Sequence, residues 1–231
     1  ARWHSPILGA VSPAVFIPIA EEYRMVSRIT DLIVQKVCAQ IQRWSKDNIP
    51  SVPVAINISL IDFTQPDFIS KLVKYLADFN VMPSQIELEL TETSLEANQS
   101  NSLQLIRTLQ SWGFTISVDD FGTGYSNIAR LADYPIDKLK LDRSLVSRIS
   151  ESERQKSLVK AIHVMCDELD IKCVSEGVET KQQVTIMAQM GCKEFQGFYF
   201  AKPMSASAYG QHVKTQGLHF VAPNKKSAVD S

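Results

Sequence analysis

Apolar and polar residues along the chain alternate with two different periods. Val54-Ala55-Ile56-Asn57-Ile58-Ser59 alternates branched apolar residues with small or polar ones, the period-two pattern of a strand. Pro53 stands before it, where a missing N–H is tolerated. Ile86–Leu90, Thr115–Val118, Lys138–Leu141, Lys172–Ser175 and Phe195–Phe200 read as five further strands. Between them the period changes to that of a helix. Residues 67–79 place Phe68, Ile69, Leu72, Val73, Leu76 and Phe79 on one stripe. Residues 102–112 carry Leu103, Ile106 and Leu109, with Gly113 as the C-terminal cap. Residues 155–169 carry Leu158, Val159, Ile162, Met165, Cys166 and Leu169. Thr180-Lys181-Gln182-Gln183 is a capping-box pattern opening a helix that Gly191 ends. Near the N-terminus Ser12-Pro13 reads as an N-cap followed by proline at the first helical position. Pro18 is expected to interrupt that helix, and a longer one is expected from about Val26 to Trp44.

Strands alternating with helices predict an α/β fold with a parallel sheet. With 231 residues the chain can form one large domain or two small ones. From about Thr215 to Ser231 periodicity is lost, so 215–231 reads as a peripheral tail after a domain spanning 1–214. The 24 Lys+Arg nearly balance the 25 Asp+Glu, which removes the simplest argument for binding a DNA or RNA polymer. No apolar run approaches the length of a membrane span, and no signal-peptide pattern is present. Cys38, Cys166, Cys173 and Cys192 form no C-x-x-C pair, and His4, His163, His212 and His219 have no ligand spacing. The cysteines read as reduced thiols, and any metal here must be held by oxygen, which points to Mg²⁺ or Mn²⁺.

The chemistry lies at the strand ends. Asn57 closes the first strand, Glu89 and Glu92 the second, Asp119 and Asp120 the third, Lys140 and Asp142 the fourth. Glu176 and Glu179 follow the fifth strand, and Gln196 falls on the sixth. In parallel α/β folds that end of the sheet is where ligands bind. Converging carboxylates repel one another, and divalent cations are the simple compensation. Each group alone also has a plainer reading. Asp119-Asp120-Phe121-Gly122 can be a turn, Glu87 and Glu89 can face solvent, and Lys140 with Asp142 can be a surface ion pair. The plainer account has to hold at every strand end at once, which weakens it.

Together the segments resemble the EAL family, phosphodiesterases of the bacterial second messenger cyclic di-GMP. The matching motifs are Arg2-Trp3, residues 12–22, Asn57-Ile-Ser59, Glu89-Leu-Thr-Glu92 and Asp119-Asp-Phe-Gly-Thr-Gly-Tyr-Ser126. Lys140-Leu-Asp142, Glu176-Gly-Val-Glu179 and Gln196-Gly-Phe198 complete the set. The resemblance implies a TIM-like (β/α)8 barrel of EAL type that hydrolyses cyclic di-GMP to linear pGpG, by two-metal in-line attack of a bound hydroxide. It implies that Asn57, Glu89 and Asp119 bind one Mg²⁺ or Mn²⁺ ion, and that Asp119, Asp120 and Glu176 bind a second. Lys140 then resembles the residue that orients the attacking water, and Glu92 the anchor of the Asp120–Ser126 loop. Arg2 resembles a phosphate contact, and Asp142, Glu179 and Gln196 resemble supporting or substrate-side groups.

The family's Glu-Ala-Leu would lie just before Ala1. Six strand segments against a barrel of eight lead to the expectation that the first two strands precede Ala1 in a longer protein. An upstream sensory domain, a cytoplasmic setting (free or membrane-anchored) and a homodimer through Asp120–Ser126 and the following helix are further expectations. The alternative function is a non-catalytic cyclic di-GMP receptor that lacks the named glutamate.

Overall fold

The computed structural model describes residues 2–92, 95, 99–123 and 131–216. Gly124, Tyr125 and Ser126, the second half of the glycine loop, lie outside the described residues, as do Ala1 and residues 217–231 of the expected tail. The chain divides into two compact units, Ala1–Ser117 and Val118–Ser231, with the division falling inside strand β5 (Thr115–Phe121).

The first unit opens with a hairpin that has no periodic signature in the sequence. Strands β1 (Trp3–Ser5) and β2 (Gly9–Val11) pair antiparallel, with Trp3 opposite Val11 and Ser5 opposite Gly9. Ser5 Oγ accepts the N–H groups of Ile7 and Leu8, which shapes the turn, and Gly9 supplies a φ of +69°. Helix α1 (Pro13–Glu22) follows with Ser12 as N-cap. Contrary to expectation, Pro18 does not end it. The carbonyl that Pro18 cannot serve belongs to Ala14, which is exposed, so water can satisfy it.

Helix α2 (Val26–Lys46) buries Val26, Thr30, Val34, Cys38 and Ile41, a stripe of threes and fours along one face. Strand β3 (Val54–Asn57) and strand β4 (Ile86–Thr91) pair in parallel, and the register sets Asn57 beside Glu89. Between them lie the short helix α3 (Leu60–Phe63) and helix α4 (Phe68–Phe79), which buries Phe68, Leu72 and Leu76. Helix α5 (Gln99–Trp112) then leads to β5, and Gly113 adopts a φ of +96° where the helix ends.

In the second unit, strands β6 (Lys138–Leu141), β7 (Lys172–Ser175) and β8 (Glu194–Phe195) are parallel. Lys140 is in register with Val174, and Ser175 with Phe195. Helix α6 (Arg143–Val146) is capped by Asp142, and helix α7 (Glu153–Glu168) by Ser152. Helix α8 (Lys181–Gln189) carries the expected reciprocal capping box of Thr180 and Gln183. Helix α9 (Ala206–Gln216) occupies a stretch for which the sequence pattern predicted no element.

The last strand is shorter than the expected Phe195–Phe200. After Phe195 the chain turns, because the amides of Phe200 and Ala201 bond back to the Gly197 carbonyl. The aromatic residues of this stretch pack against one another within the turn, Phe195 stacking on Phe200 with centroids 6.2 Å apart.

His163 on α7 is buried against β7, its Nε2 lying 3.2 Å from Ser175 Oγ and 3.7 Å from Cys173 Sγ. Burial lowers its pKa from 6.5 to about 4, with the Lys193 ammonium assisting and Asp167 opposing. A depressed histidine stabilises the fold above pH 6.5 and loses that contribution as pH falls toward 4. At about 1.4 kcal/mol per pKa unit, the contribution is on the order of 3 kcal/mol. Urea unfolding from pH 7 down to 4 is expected to show a fall in stability that His163→Gln largely removes. Parallel pH profiles for the two proteins would contradict this. Cys38, Cys166, Cys173 and Cys192 are all buried free thiols.

Candidate active site

Two clusters of polar side chains form at strand C-termini, one in each unit. In the first, the parallel register brings Asn57 alongside Glu89, and Asn57 Nδ2 donates to Glu89 Oε2 at 3.1 Å. The Ile58 amide donates to the Glu89 carbonyl at 2.9 Å, fixing the strand end. Glu87 and Glu89 do not face solvent; each is only 6% exposed. Glu92 is half-buried just beyond β4, and Arg2 is exposed beside β1.

In the second unit the organising group is Lys140. Its Nζ donates to Asp119 Oδ1 at 3.0 Å and lies 2.8 Å from Glu176 Oε1. The lysine side chain is 7% exposed, and those of Asp119 and Glu176 are 15% and 17% exposed. Lys140 is thus no surface lysine, and its ammonium pairs with the acids at the ends of β5 and β7. Asp142 caps α6 through the Ser144 amide at 2.8 Å. Burial alone would raise its pKa, but the hydrogen bonds from Ser144 and Arg143 and the Arg143 charge bring it below the ordinary value.

Asp120 takes a left-handed conformation, φ +56°, and its amide donates to Asp119 Oδ1 at 3.0 Å. This turn keeps both carboxylates at the end of β5. Burial raises the Asp120 pKa first, and the charges of Asp119 and Asp142 add to it against the pull of Lys140. Glu176 is also raised, first by burial; Lys140 opposes this, while Asp119 and Asp120 reinforce it. The cluster therefore holds more negative charge than one ammonium offsets.

A cavity of about 470 Å³ opens beside Glu176. Glu176, Glu179 and Gln196 line it together with Arg143, Phe198 and Lys202. Arg143 Nη2 pairs with Glu179 Oε1 at 2.9 Å. Gly177, at φ +68°, lets the Arg143 stem lie against the loop: a Cβ there would stand 2.6 Å from Arg143 Cβ. Sequence reasoning missed Arg143 and Lys202. The available signal was the position of Arg143 directly after Lys140-Leu-Asp142.

The donors suit a hard divalent cation. They are carboxylates and one amide, and the buried Glu176 Oε1 is met by the Lys140 ammonium at 2.8 Å, so it already sits against a positive charge. As they stand, no three or more His, Cys, Asp or Glu among the described residues converge closely enough to hold an ion. In the second unit the Lys140 ammonium lies against both Asp119 and Glu176 instead.

Known proteins resemble this chain in sequence and in fold. Cyclic di-GMP phosphodiesterase PdeR of Escherichia coli K12 is 35% identical over 213 residues, covering 92% of this chain and 32% of PdeR. The chain spans about a quarter to a third of the length of the curated relatives it matches. The solved PaMucR phosphodiesterase in complex with c-di-GMP superposes with a TM-score of 0.83 at 31% identity, covering 90% of this chain and 84% of that one. The Klebsiella pneumoniae BlrP1 complex with manganese and cyclic di-GMP gives a TM-score of 0.74 at 29% identity, over 87% of this chain and 50% of BlrP1. The architecture is the TIM-like α/β type of these EAL structures. Among the described residues no helix is long and apolar enough to cross a membrane. The EAL domain model matches residues 1–203, nearly the whole chain, and the chain therefore belongs to the EAL domain family.

Proposed function

We propose that residues 1–214 form a phosphodiesterase domain that hydrolyses cyclic di-GMP to linear pGpG with the help of two divalent cations, Mg²⁺ or Mn²⁺. The observation that carries this reading is Lys140 between Asp119 and Glu176, at the ends of three successive strands and beside the cavity lined by Glu176, Glu179 and Gln196. Asn57, Glu89, Asp119, Asp120 and Glu176 are the residues that would hold the cations. When bound, these ions supply charge neutralisation to the phosphodiester and acidify the attacking water.

The chain's own groups do the rest. Lys140 acts through its charge and its N–H donors, orienting the water that attacks phosphorus. Glu179 presents a carboxylate and Gln196 an amide to the cavity, acceptors and donors suited to the edge of a guanine base. Asp142 supports the site by holding α6, and Arg2 contributes a guanidinium for a phosphate. Glu92 anchors the loop after Asp120. The far longer relatives favour additional domains in the parent protein, with a homodimer and a cytoplasmic setting as parts of the same reading.

The test is conversion of cyclic di-GMP to pGpG by the intact protein containing this chain, with Mg²⁺ or Mn²⁺. Lys140→Met is expected to lower kcat by about 10²–10³-fold, the scale of a positioned proton-transfer or donor group, while KM moves little. Equal losses in kcat and affinity would contradict the assignment of Lys140. Tight binding of cyclic di-GMP with cation present and no turnover would favour the receptor function instead.

A further inference from the structure

A second polar cluster in the first unit lies outside the residues assigned above. Asp62 on α3 is 2% exposed, yet it is a carboxylate. Its Oδ2 accepts two hydroxyl hydrogen bonds, from Thr30 Oγ1 on α2 at 2.6 Å and from Ser59 Oγ at 2.8 Å. The Asp62 amide in turn donates to Ser59 Oγ at 3.1 Å. Ser59 is therefore held at both its proton and its lone pair by one residue. A buried carboxylate is costly unless it is fully hydrogen-bonded, and two short hydroxyl contacts on one oxygen form a rigid junction.

The junction has a direction. Ser59 is two residues after Asn57, at the N-cap of α3, and Thr30 belongs to the long helix behind it. Asn57 donates its amide nitrogen to Glu89, which leaves Oδ1 as the atom with which it would meet a cation. An amide serves as an oxygen ligand only if its plane is fixed, because rotation about the strand end would present nitrogen instead. β3 ends at Asn57, so the next fixed points are the Ile58 amide on the Glu89 carbonyl and the Ser59 junction.

We infer that Asp62 is a positioning residue: through Ser59 it ties the end of β3 to α2 and so orients the Asn57 side chain toward a divalent cation. The inference rests on the proposed cation-dependent function. Outer partners of metal ligands typically change metal affinity by about 10–100-fold when removed. Asp62 acts one step further out, through Ser59, so Asp62→Ala is expected to weaken Mn²⁺ binding to the intact protein by about 10-fold, the lower end of that range, read by electron paramagnetic resonance of free Mn²⁺. Asp62→Asn, which keeps an acceptor for both hydroxyls, is expected to restore most of the affinity. Thr30→Val, which removes one donor without touching the strand end, is expected to give a smaller loss in the same direction.

Coupling separates positioning from general loosening. If Asp62 acts through Asn57, the Asp62→Ala and Asn57→Ala double variant binds Mn²⁺ no more weakly than Asn57→Ala alone. Additive losses would overturn the inference. So would unchanged Mn²⁺ affinity in both Asp62→Ala and Thr30→Val alongside a clear loss in Asn57→Ala, and Thr30→Val gives this answer even if Asp62→Ala fails to fold. Unchanged affinity in Asn57→Ala would instead remove Asn57 from the cation site, and with it the reading on which the inference depends.

Discussion

Alanine at position 119 is expected to lower kcat for cyclic di-GMP by about 10³-fold or more, the factor that several kcal/mol of lost electrostatic stabilisation implies. Two separate arrangements converge on this side chain. Its Oδ1 accepts the Asp120 amide, which holds the left-handed turn at the end of β5, and it accepts Lys140 Nζ. Removing the carboxylate leaves the buried ammonium with Glu176 as its remaining partner in this pair of contacts and takes an acceptor from the turn. Stability is expected to fall by about 1–3 kcal/mol, as when a buried donor loses its acceptor.

Asp119→Asn distinguishes charge from shape. The amide oxygen can still accept both hydrogen bonds, so stability measured by urea unfolding is expected to stay within about 1 kcal/mol of the parent. The negative charge is gone, so activity is expected to fall nearly as far as with alanine. Near-parental kcat in Asp119→Asn at saturating Mg²⁺ would show that the charge of Asp119 is not what the reaction uses.

Gly197→Ala is expected to destabilise the chain by about 3 kcal/mol, the upper part of the usual overpacking range, and to raise KM for cyclic di-GMP severalfold. The obstacle is space. A Cβ at position 197 would overlap the backbone N and O of Val178 and stand 2.7 Å from its carbonyl carbon. Backbone cannot rotate away as a side-chain tip can. Val178 is buried and its two polar groups are engaged on either side of the contact, its amide on the Gln196 carbonyl at 3.1 Å and its carbonyl on the Tyr199 amide at 3.0 Å. Relief requires breaking one of these bonds. Because Glu176, Glu179 and Gln196 line the cavity from the two segments so joined, its walls move with them.

Gly191→Ala provides the comparison. Its φ of +99° strains an alanine, but nothing lies within 4 Å of the added Cβ. Its cost is expected to be the backbone term alone, about 1–3 kcal/mol, with KM unchanged. Equal KM in the two variants, or parental stability in Gly197→Ala, would refute the packing argument.

Much of the scaffold was legible because the strands are short, apolar and uninterrupted. Lys138–Leu141 and Lys172–Ser175 appear with the bounds their pattern suggests, and the capping box at Thr180 is formed as its spacing requires. Where the pattern misled, the deciding factor was not in the local sequence. Pro18 stays within α1 because the carbonyl it abandons is on an exposed turn. The aromatic run after Phe195 looked like strand but turns at Gly197, since its rings pack on one another. The hairpin of Trp3–Ser5 and Gly9–Val11 is too short to show any period.

The candidate site divides in the same way. Which residue types stand at the strand ends follows from the sequence alone, because a parallel strand that alternates with helices delivers its last residues to one end of the sheet. That was enough to group Asn57, Glu89, Glu92, Asp119, Asp120, Lys140, Asp142, Glu176, Glu179 and Gln196, and the resemblance to the EAL family then implied a role for each. Which of them touch was decided only by tertiary structure. Register set Asn57 on Glu89, and the spacing of β5, β6 and β7 gave Lys140 to Asp119 and Glu176 while Asp142 turned to cap a helix. Asp62 and Arg143 had no visible role until the fold placed one beneath Ser59 and the other across Gly177 from Glu179. The physical reason is range. A strand's direction is encoded in a few consecutive residues, whereas hydrogen bonds and ion pairs depend on separations of a few tenths of an ångström between groups far apart in the chain.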